Sequence, residues 1–511
     1  MIQPETAHTA TRRRFAGAQG VLGVALLAAS SLLVHGYHLG QEDGAIYLPD
    51  IKNNLDPALF PYDSAFFLAQ TRWMLFDRLV AASARLTRAP LDYTVFLWHL
   101  FTVFLVLLAC RELARRCFSH PTAQWAAVLT VWAALLLPVA GTQLDLTERY
   151  LHPRDLATAA VLFAFVAVLD RRLTALVWLA FAAVVHPTMA FFGAFHLLFQ
   201  SPGAGKLARF AVAGFLVLSL LGLAALPGLG AAPNEAWREV LASRPYLFPL
   251  RWHWYEWLGV IAPLLLLRWF ALLAQRGTKP PAGAGSISPA VERICRRAVV
   301  AALVATAVAI VISIVPQLES LVTIEPMRAL HFVYVLLVFF AGGLLGEHIL
   351  LRRPLRWLLF LAPVCMAFFL TNWLTCRSSP LVEWPGRIPR NAWVDAFDWI
   401  RRNTPRDALC ALDPRYLLRP GEDAHGFRGF AERSMLAEWV KDRSVAALEP
   451  GLAYQWRQEV RDRENWQSFG GEDFRRLRRR YGVTWVVVER SAQTGLSCPY
   501  ANDAVMVCRV E

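Results

Sequence analysis

The sequence predicts a polytopic α-helical membrane protein of about ten transmembrane segments with a C-terminal external α/β domain. Three observations predict it. Of 511 residues, 56% are hydrophobic and only 18% charged, and the mean hydropathy is +0.38; a water-soluble chain of that length needs more polar surface. Apolar runs of roughly 20 residues recur along the chain, each long enough to cross a hydrocarbon core. From residue 380 the hydropathy drops and the pattern becomes that of a mixed domain. A cytosolic enzyme is excluded.

In chain order, the runs assigned as spans are 17–39, 93–110, 122–140, 155–169, 207–229, 257–274, 298–315, 328–350 and 355–374. The run 173–199 is different. It is long enough to cross once, but His186-Pro187 sits at its middle, and proline removes a backbone donor there. Two short helices forming a re-entrant hairpin are the alternative.

Charge separates the two. The loops Arg12 to Arg14, Arg111/Arg115/Arg116, Arg171/Arg172, Lys206/Arg209, Arg276/Lys279/Arg293/Arg296/Arg297 and Arg352/Arg353/Arg356 hold eighteen cations. They share one face only if 173–199 enters and leaves on the same side. That face is expected to be the cytoplasm. The first run is then an uncleaved signal anchor with a cytoplasmic N-terminus, since no small-residue cleavage site follows it. Segments 40–90, 141–154, 230–256, 316–327 and everything after about residue 376 collect on the opposite, external face. Residues 380–511 carry 21 cations and 19 anions, so nearly all of the +13 net charge belongs to the membrane part. The basic excess is a topology signal, which removes the argument for nucleic acid.

Two domains follow: residues 1–379 in the membrane, with the external loop 40–90, and the external domain 380–511. In the tail, 391–403 (NAWVDAFDWIRRN) reads as a helix ended by Thr404-Pro405. ALCALD and TWVVVE (484–489) read as strands, and 430–440 and 453–480 as helical regions. Cys498 and Cys508 flank PYANDAVMV, where two closing strands bring them within bridging range in an oxidising compartment; two unpaired thiols are the alternative. No His/Cys cluster has metal-site spacing.

The loop GYHLGQEDGAIYLPDIKNNLDPALFPYDSAFFLAQTRW is the most informative segment. About 50 residues following a hydrophobic helix is long for a structureless connection. Glu42 and Asp43 come just past the apolar run, at the membrane surface. A carboxylate there can take a proton from an acceptor hydroxyl or hold a divalent cation against a phosphate. The competing reading is a solvated helix end.

This arrangement resembles the GT-C superfamily of integral membrane glycosyltransferases: an acidic pair after the first span, a long first external loop with amphipathic helices, many spans and an external C-terminal domain. EDGAIYLPDIKNNLDPALFPYDSAFF, DAFDWIRRNTPRDALCALDP and RRYGVTWVVVE are similar to a bacterial branch of GT-C-like proteins. The resemblance implies a bacterial inner-membrane enzyme that transfers a sugar, with inversion, from a polyprenyl-phosphate donor to a glycan, lipid or protein acceptor on the periplasmic face. It implies that Asp43, with Glu42 beside it, is the catalytic base or a metal ligand. A second acidic motif maps to LDLTERYLHPRD, giving Asp145 and Glu148, though the spacing departs from DxD; Asp43 and Asp145 are the candidate ligands for a divalent cation, Mg or Mn. It also turns HGFRGFAERSMLAEW, with Arg428 and Arg433, toward the site.

A lipid phosphate leaving group needs cations at the membrane boundary, and Arg holds two phosphate oxygens while staying charged. The candidates are Arg149, His152 and Arg154 in ERYLHPR, Arg244, Arg251, and Arg328 in IEPMRALHF. Local salt bridges compete for Arg149 and Arg154, and a solvated cap for Arg328. Trp252, Trp254 and Tyr255 in PYLFPLRWHWYEW are aromatic faces that suit a sugar acceptor, and equally suit a membrane-interface belt. His186 and His196, in apolar surroundings, read as hydrogen-bonded structural histidines. RRLRRR (475–480) reads as an exposed helix face. Two other functional classes stand beside the transferase: a lipid-linked sugar flippase, and a non-catalytic scaffold in cell-envelope assembly. No internal repeat of the transporter kind is visible.

Overall fold

The computed structural model describes residues 5–200, 206–224, 234–276 and 288–511, with side chains from residue 18 onward. The side chains of Arg12 to Arg14, Lys279 and part of the 230–256 segment lie outside the described residues.

Among the described residues, seven helical segments are long and apolar enough to cross a membrane: Ala18–His35, Leu91–Cys117, Lys206–Ala224, Trp254–Gln275, Pro289–Ile314, Pro316–Leu350 and Pro354–Thr375. The other runs fold as shorter helices: Pro121–Ala133 and Pro153–Leu169 within 122–140 and 155–169, and the pair Thr174–Val185 and Pro187–Gln200 over 173–199, the two short helices of the hairpin alternative. Pro121, Pro153 and Pro187 each stand at a helix start, where the missing N–H costs nothing, so proline sets the length of each piece.

These short pieces are the interior of the bundle. Pro153–Leu169 is buried along nearly its whole length, with Ala157, Ala159, Ala160, Ala164 and Ala167 letting neighbours approach closely. Gly193 faces it from the hairpin, where an added Cβ would collide with Val161. The outermost helix, Pro354–Thr375, has only 6% of its apolar window buried, against 83% for Pro316–Leu350. The first faces lipid and the second forms the centre.

The hairpin enters and leaves at one end. Arg116 pairs with Asp170 at 2.6 Å, Ser288 N donates to Cys117 O at 3.2 Å, and Arg297 Nη1 donates to Gln200 O at 2.8 Å. These contacts gather the start and end of the 173–200 segment at the basic end of the bundle. Its tip, His186 to Thr188, lines the cavity that also holds Asp43. The polar backbone at the break is thus turned to a cavity, not to hydrocarbon.

The first external loop folds into helices Gly44–Leu55, Ala65–Thr71 and Phe76–Thr87. The tail domain holds a five-stranded sheet in the order β4-β3-β5-β7-β6, with β3 Leu409–Ala411, β4 Ser434–Met435, β5 Trp485–Glu489, β6 Ser497–Ala501 and β7 Val505–Arg509. A two-stranded ribbon in the membrane part pairs β1 Pro138–Val139 with β2 Leu144–Asp145. In the tail, β3 pairs in parallel with β4 and β5, and β7 runs antiparallel to β5 and β6. The helix expected over 391–403 is Ala392–Asn403, and its cap Asn391 accepts from Trp393 N and Val394 N. The helix expected around 430–440 is replaced by Phe427–Ala431 and β4, because Glu432 takes a left-handed conformation that ends the helix. Region 453–480 divides into Pro450–Arg461 and Gly471–Tyr481. Cys498 and Cys508 form a disulfide.

The loop and the tail are tied through their backbones. Glu42 N donates to Ala424 O at 2.8 Å, Gly426 N to Gly40 O at 3.0 Å, and Tyr37 N to Leu381 O at 3.0 Å. Asp43 is therefore held by two segments nearly 400 residues apart in the chain.

Candidate active site

A cavity of about 970 Å³ opens where the first external loop, the ribbon after Pro138, the hairpin tip and the tail helix Lys441–Leu448 meet. Eight Arg and Lys side chains line it against six carboxylates. That balance favours an anionic ligand.

Asp43 stands at the N-cap of Gly44–Leu55 but makes no capping bond. An N-cap aspartate ordinarily accepts from its own helix; this one turns into the cavity. Glu42 before it takes φ +51°, a left-handed conformation that is costly for a non-glycine residue and marks sites where geometry matters. The Lys441 ammonium sits between the two acids, 2.8 Å from Glu42 Oε2 and 2.8 Å from Asp43 Oδ1.

On its other oxygen Asp43 meets His152 Nε2 at 3.3 Å. Arg154 N donates to His152 Nδ1 at 2.9 Å. Nδ1 therefore carries the lone pair, and neutral His152 holds its proton on Nε2, facing Asp43. The ring is fixed edge-on against Tyr47, 5.0 Å between centroids. Asp43 N donates to Tyr150 Oη at 3.3 Å. Burial alone would raise the Asp43 pKa; Lys441 and His152 more than offset it and hold the carboxyl well below the usual range. The Asp43 side chain is 32% exposed and that of Lys441 12%. The result is an ionised carboxylate in contact with the cavity.

The expected phosphate ligands divide. Arg154 pairs with Glu148 and is buried, and Asp155 Oδ2 accepts from Glu148 N at 2.8 Å. Arg149 donates to Asn372 Oδ1 at 2.6 Å and to Cys376 Sγ at 3.3 Å. Both line the cavity, each with one guanidinium nitrogen engaged, Nη1 of Arg149 and Nη2 of Arg154. Arg328 donates only Nε, to Glu325 Oε2 at 2.5 Å, and its Nη groups take no other partner among the described residues. Arg244, also among the candidate cations, is buried at the cavity wall over Tyr246 and donates to Ser444 O at 3.1 Å. Burial pushes its pKa down to about 10, so it stays charged at neutral pH.

Of the aromatics, Trp252 is buried in the cavity wall against Gly141, and Tyr255 lies at the rim. Trp254 is 77% exposed and is not among the cavity-lining residues. His186, read from sequence as structural, lines the cavity with its ring 6.3 Å from that of His152; His196 donates to or accepts from nothing in the cavity and meets Ala329 O at 2.8 Å.

Arg428 does not line the cavity. It is buried, paired with Asp63 through Nε and with both oxygens of Asp442 at 2.8 Å. Arg433 is likewise spent on Thr404 and on backbone carbonyls. Asp442 also accepts from Glu438 N at 2.8 Å, and Glu438 accepts from the backbone N–H groups of Lys441 and Asp442. Arg428 thus fixes the turn that presents Lys441, acting through the scaffold. Sequence reasoning missed Lys441, which lies 398 residues from Asp43. One signal was present: it is the single lysine among the tail's 21 cations.

A catalytic divalent cation held by Asp43 and Asp145 does not fit this arrangement. The Lys441 ammonium already occupies Asp43 Oδ1, and among the described residues Asp43 and Asp145 do not gather with a third donor. Burial pushes Asp145 up to about 6, against the opposing pull of Arg149 and Arg154.

The fold is thus that of a polytopic membrane protein whose cationic cavity is lined by the membrane part, the loop after the first span and the tail. No protein-family model matches the chain, and no curated protein does. Among solved structures it is similar to the oligosaccharyltransferase of Archaeoglobus fulgidus in the apo form, at 13% identity over 92% of this chain and 69% of that one, with a TM-score of 0.43. It is also similar to ArnT from Cupriavidus metallidurans in the apo state, at 11% identity over 98% of each chain, with a TM-score of 0.37. The likeness is one of fold, and nothing about the site rests on it.

Proposed function

We propose that the protein is a membrane glycosyltransferase that moves a sugar from a polyprenyl-phosphate donor to an acceptor hydroxyl at the external face of the bacterial inner membrane. The observation that carries this is the ionised, cavity-facing carboxylate of Asp43 surrounded by fixed cations. Asp43 accepts the proton of the acceptor hydroxyl as its oxygen bonds to the anomeric carbon and the bond from that carbon to the lipid phosphate oxygen breaks. The departing phosphate gains charge, which Arg328, with its open Nη groups, and Arg244 stabilise. His152 orients Asp43, and Trp252 offers a ring face to the sugar. Lys441 takes the place of a cation beside the acids, so turnover is expected without added Mg or Mn.

The test uses purified full-length protein with polyprenyl-phosphate sugars and candidate acceptors, comparing wild type with Asp43→Asn. Loss of transfer in a folded variant supports the reading; full activity overturns Asp43 as base. Movement of lipid-linked sugar across vesicles by the wild type without release of lipid phosphate would make it a flippase.

A further inference from the structure

A second polar cluster lies outside the cavity, at the seam between the first external loop and the tail. His38, Glu383 and His425 are all buried there. Glu383 Oε1 is 3.1 Å from His38 Nδ1 and 2.7 Å from His425 Nε2, and one donor atom from each residue falls within 4.8 Å of the others.

Two of the three donors are aimed from behind. His425 Nδ1 meets Glu422 O at 2.9 Å. A carbonyl can only accept, so Nδ1 carries a proton, and in the neutral ring the Nε2 lone pair points at Glu383. The second oxygen of Glu383 accepts Leu39 N–H at 2.8 Å. Metal-bound imidazoles and carboxylates are oriented by outer partners of this kind. Glu383 is sealed from water between the two imidazoles, and a cation held between neutral rings supplies the positive charge that a buried carboxylate needs.

We infer that His38 Nδ1, Glu383 Oε1 and His425 Nε2 bind one divalent transition-metal ion, zinc by the character of the donors, as a clamp between the first external loop and the tail domain. Two imidazoles and a carboxylate are donors zinc accepts, with a water completing the tetrahedron. Donors about 2.0–2.1 Å from a tetrahedral ion stand roughly 3.3 Å apart, so the observed 2.7 and 3.1 Å need to widen by about 0.6 and 0.2 Å. The site is sealed and lies away from the Asp43 carboxylate, so its role is to hold geometry. It joins residue 38 to residues 383 and 425, beside the backbone bonds that fix Glu42, and so bears on where Asp43 stands. This inference does not depend on the transferase reading.

Elemental analysis of the purified full-length protein is expected to find near one zinc ion per chain. Chelation should lower the Tm and zinc should restore it, while Glu383→Gln should lack the metal and respond to neither treatment. Asp43→Asn should keep its zinc. A wild-type protein that carries no metal and takes up none on dialysis against zinc overturns the clamp, as does metal that is lost in Asp43→Asn. Should Glu383→Gln fail to fold, X-ray absorption at the zinc edge of the wild type decides: imidazole and oxygen donors support the assignment, and their absence overturns it.

Discussion

Two ionic clusters bind the first external loop to the tail, and they differ in one respect. Glu42, Asp43 and Lys441 are partly exposed and border the cavity; Asp63, Arg428 and Asp442 are sealed, with the Arg428 side chain 5% exposed and that of Asp63 0%. Both pair carboxylates from residues 42–63 or from the tail with a tail cation, and both span hundreds of residues of chain. In the sealed cluster Arg428 spends its fork on two carboxylates, and Asp442 adds a backbone N–H. Nothing remains to meet a ligand. In the open cluster Asp43 keeps contact with the cavity, and its partners set its charge without covering it. Identical chemistry thus serves structure in one place and suits catalysis in the other, with solvent access making the difference.

The largest expected effect separates the two directly. Asp43→Asn should reduce transfer by about 10²–10⁴-fold, the usual weight of a positioned base, with Tm little changed. Arg428→Met should act first on the fold and lower the Tm. Removing one partner strands Asp63 and Asp442 as buried unpaired charges, which costs about 3–5 kcal/mol. Thermal unfolding of the detergent-purified variants beside their turnover reads both. If Asp43→Asn unfolds early or Arg428→Met unfolds like the wild type, the division between the clusters fails.

How much of this division was visible in the sequence follows from chain distance. The acidic pair was legible because Glu42-Asp43 directly follows an apolar run, and the hairpin because His186-Pro187 interrupts one. The helix Ala392–Asn403 and the strand Trp485–Glu489 were legible from local periodicity. The lengths of the inner helices were not: prolines at 121, 153 and 187 start short helices whose burial in the bundle no hydropathy average reports. Lys441 was hidden because nothing local distinguishes a lysine that opens a tail helix from a solvated one. Arg428 was misplaced for the same reason, its partner Asp63 being 365 residues away. Trp254 and Trp252 are two residues apart, yet one faces outward and the other lines the cavity, a difference set by the 3₁₀ turn Pro249–Arg251 and the helix start at Trp254.

A smaller effect tests what Lys441 does within the open cluster. In the wild type the Asp43 pKa is depressed, so its contribution to stability is present above the unfolded carboxyl value of about 3.9 and is lost as pH falls through the lower folded value. In Lys441→Met burial dominates and the sign reverses: the folded pKa rises above the unfolded one, and stability declines as pH climbs through the unfolded value. The acid limb of the pH–rate profile should therefore move to higher pH in Lys441→Met, with the alkaline limb unchanged. An acid limb that stays in place would show that His152 alone keeps Asp43 ionised.

The smallest effect lies at the exposed extreme of the same series. On the helix Gly471–Tyr481, Arg475 pairs with Glu472 and Arg476 with Asp473, with half of each Arg side chain in solvent. Coulomb attraction there is screened, and ordering two long side chains costs much of what remains. Arg475→Gln should shift stability by no more than about 0.5 kcal/mol and leave turnover unchanged. Chemical denaturation at low and high salt reads this. A loss comparable to that of Arg428→Met would mean that burial does not rank these ion pairs, and the contrast between the sealed and open clusters would need another cause.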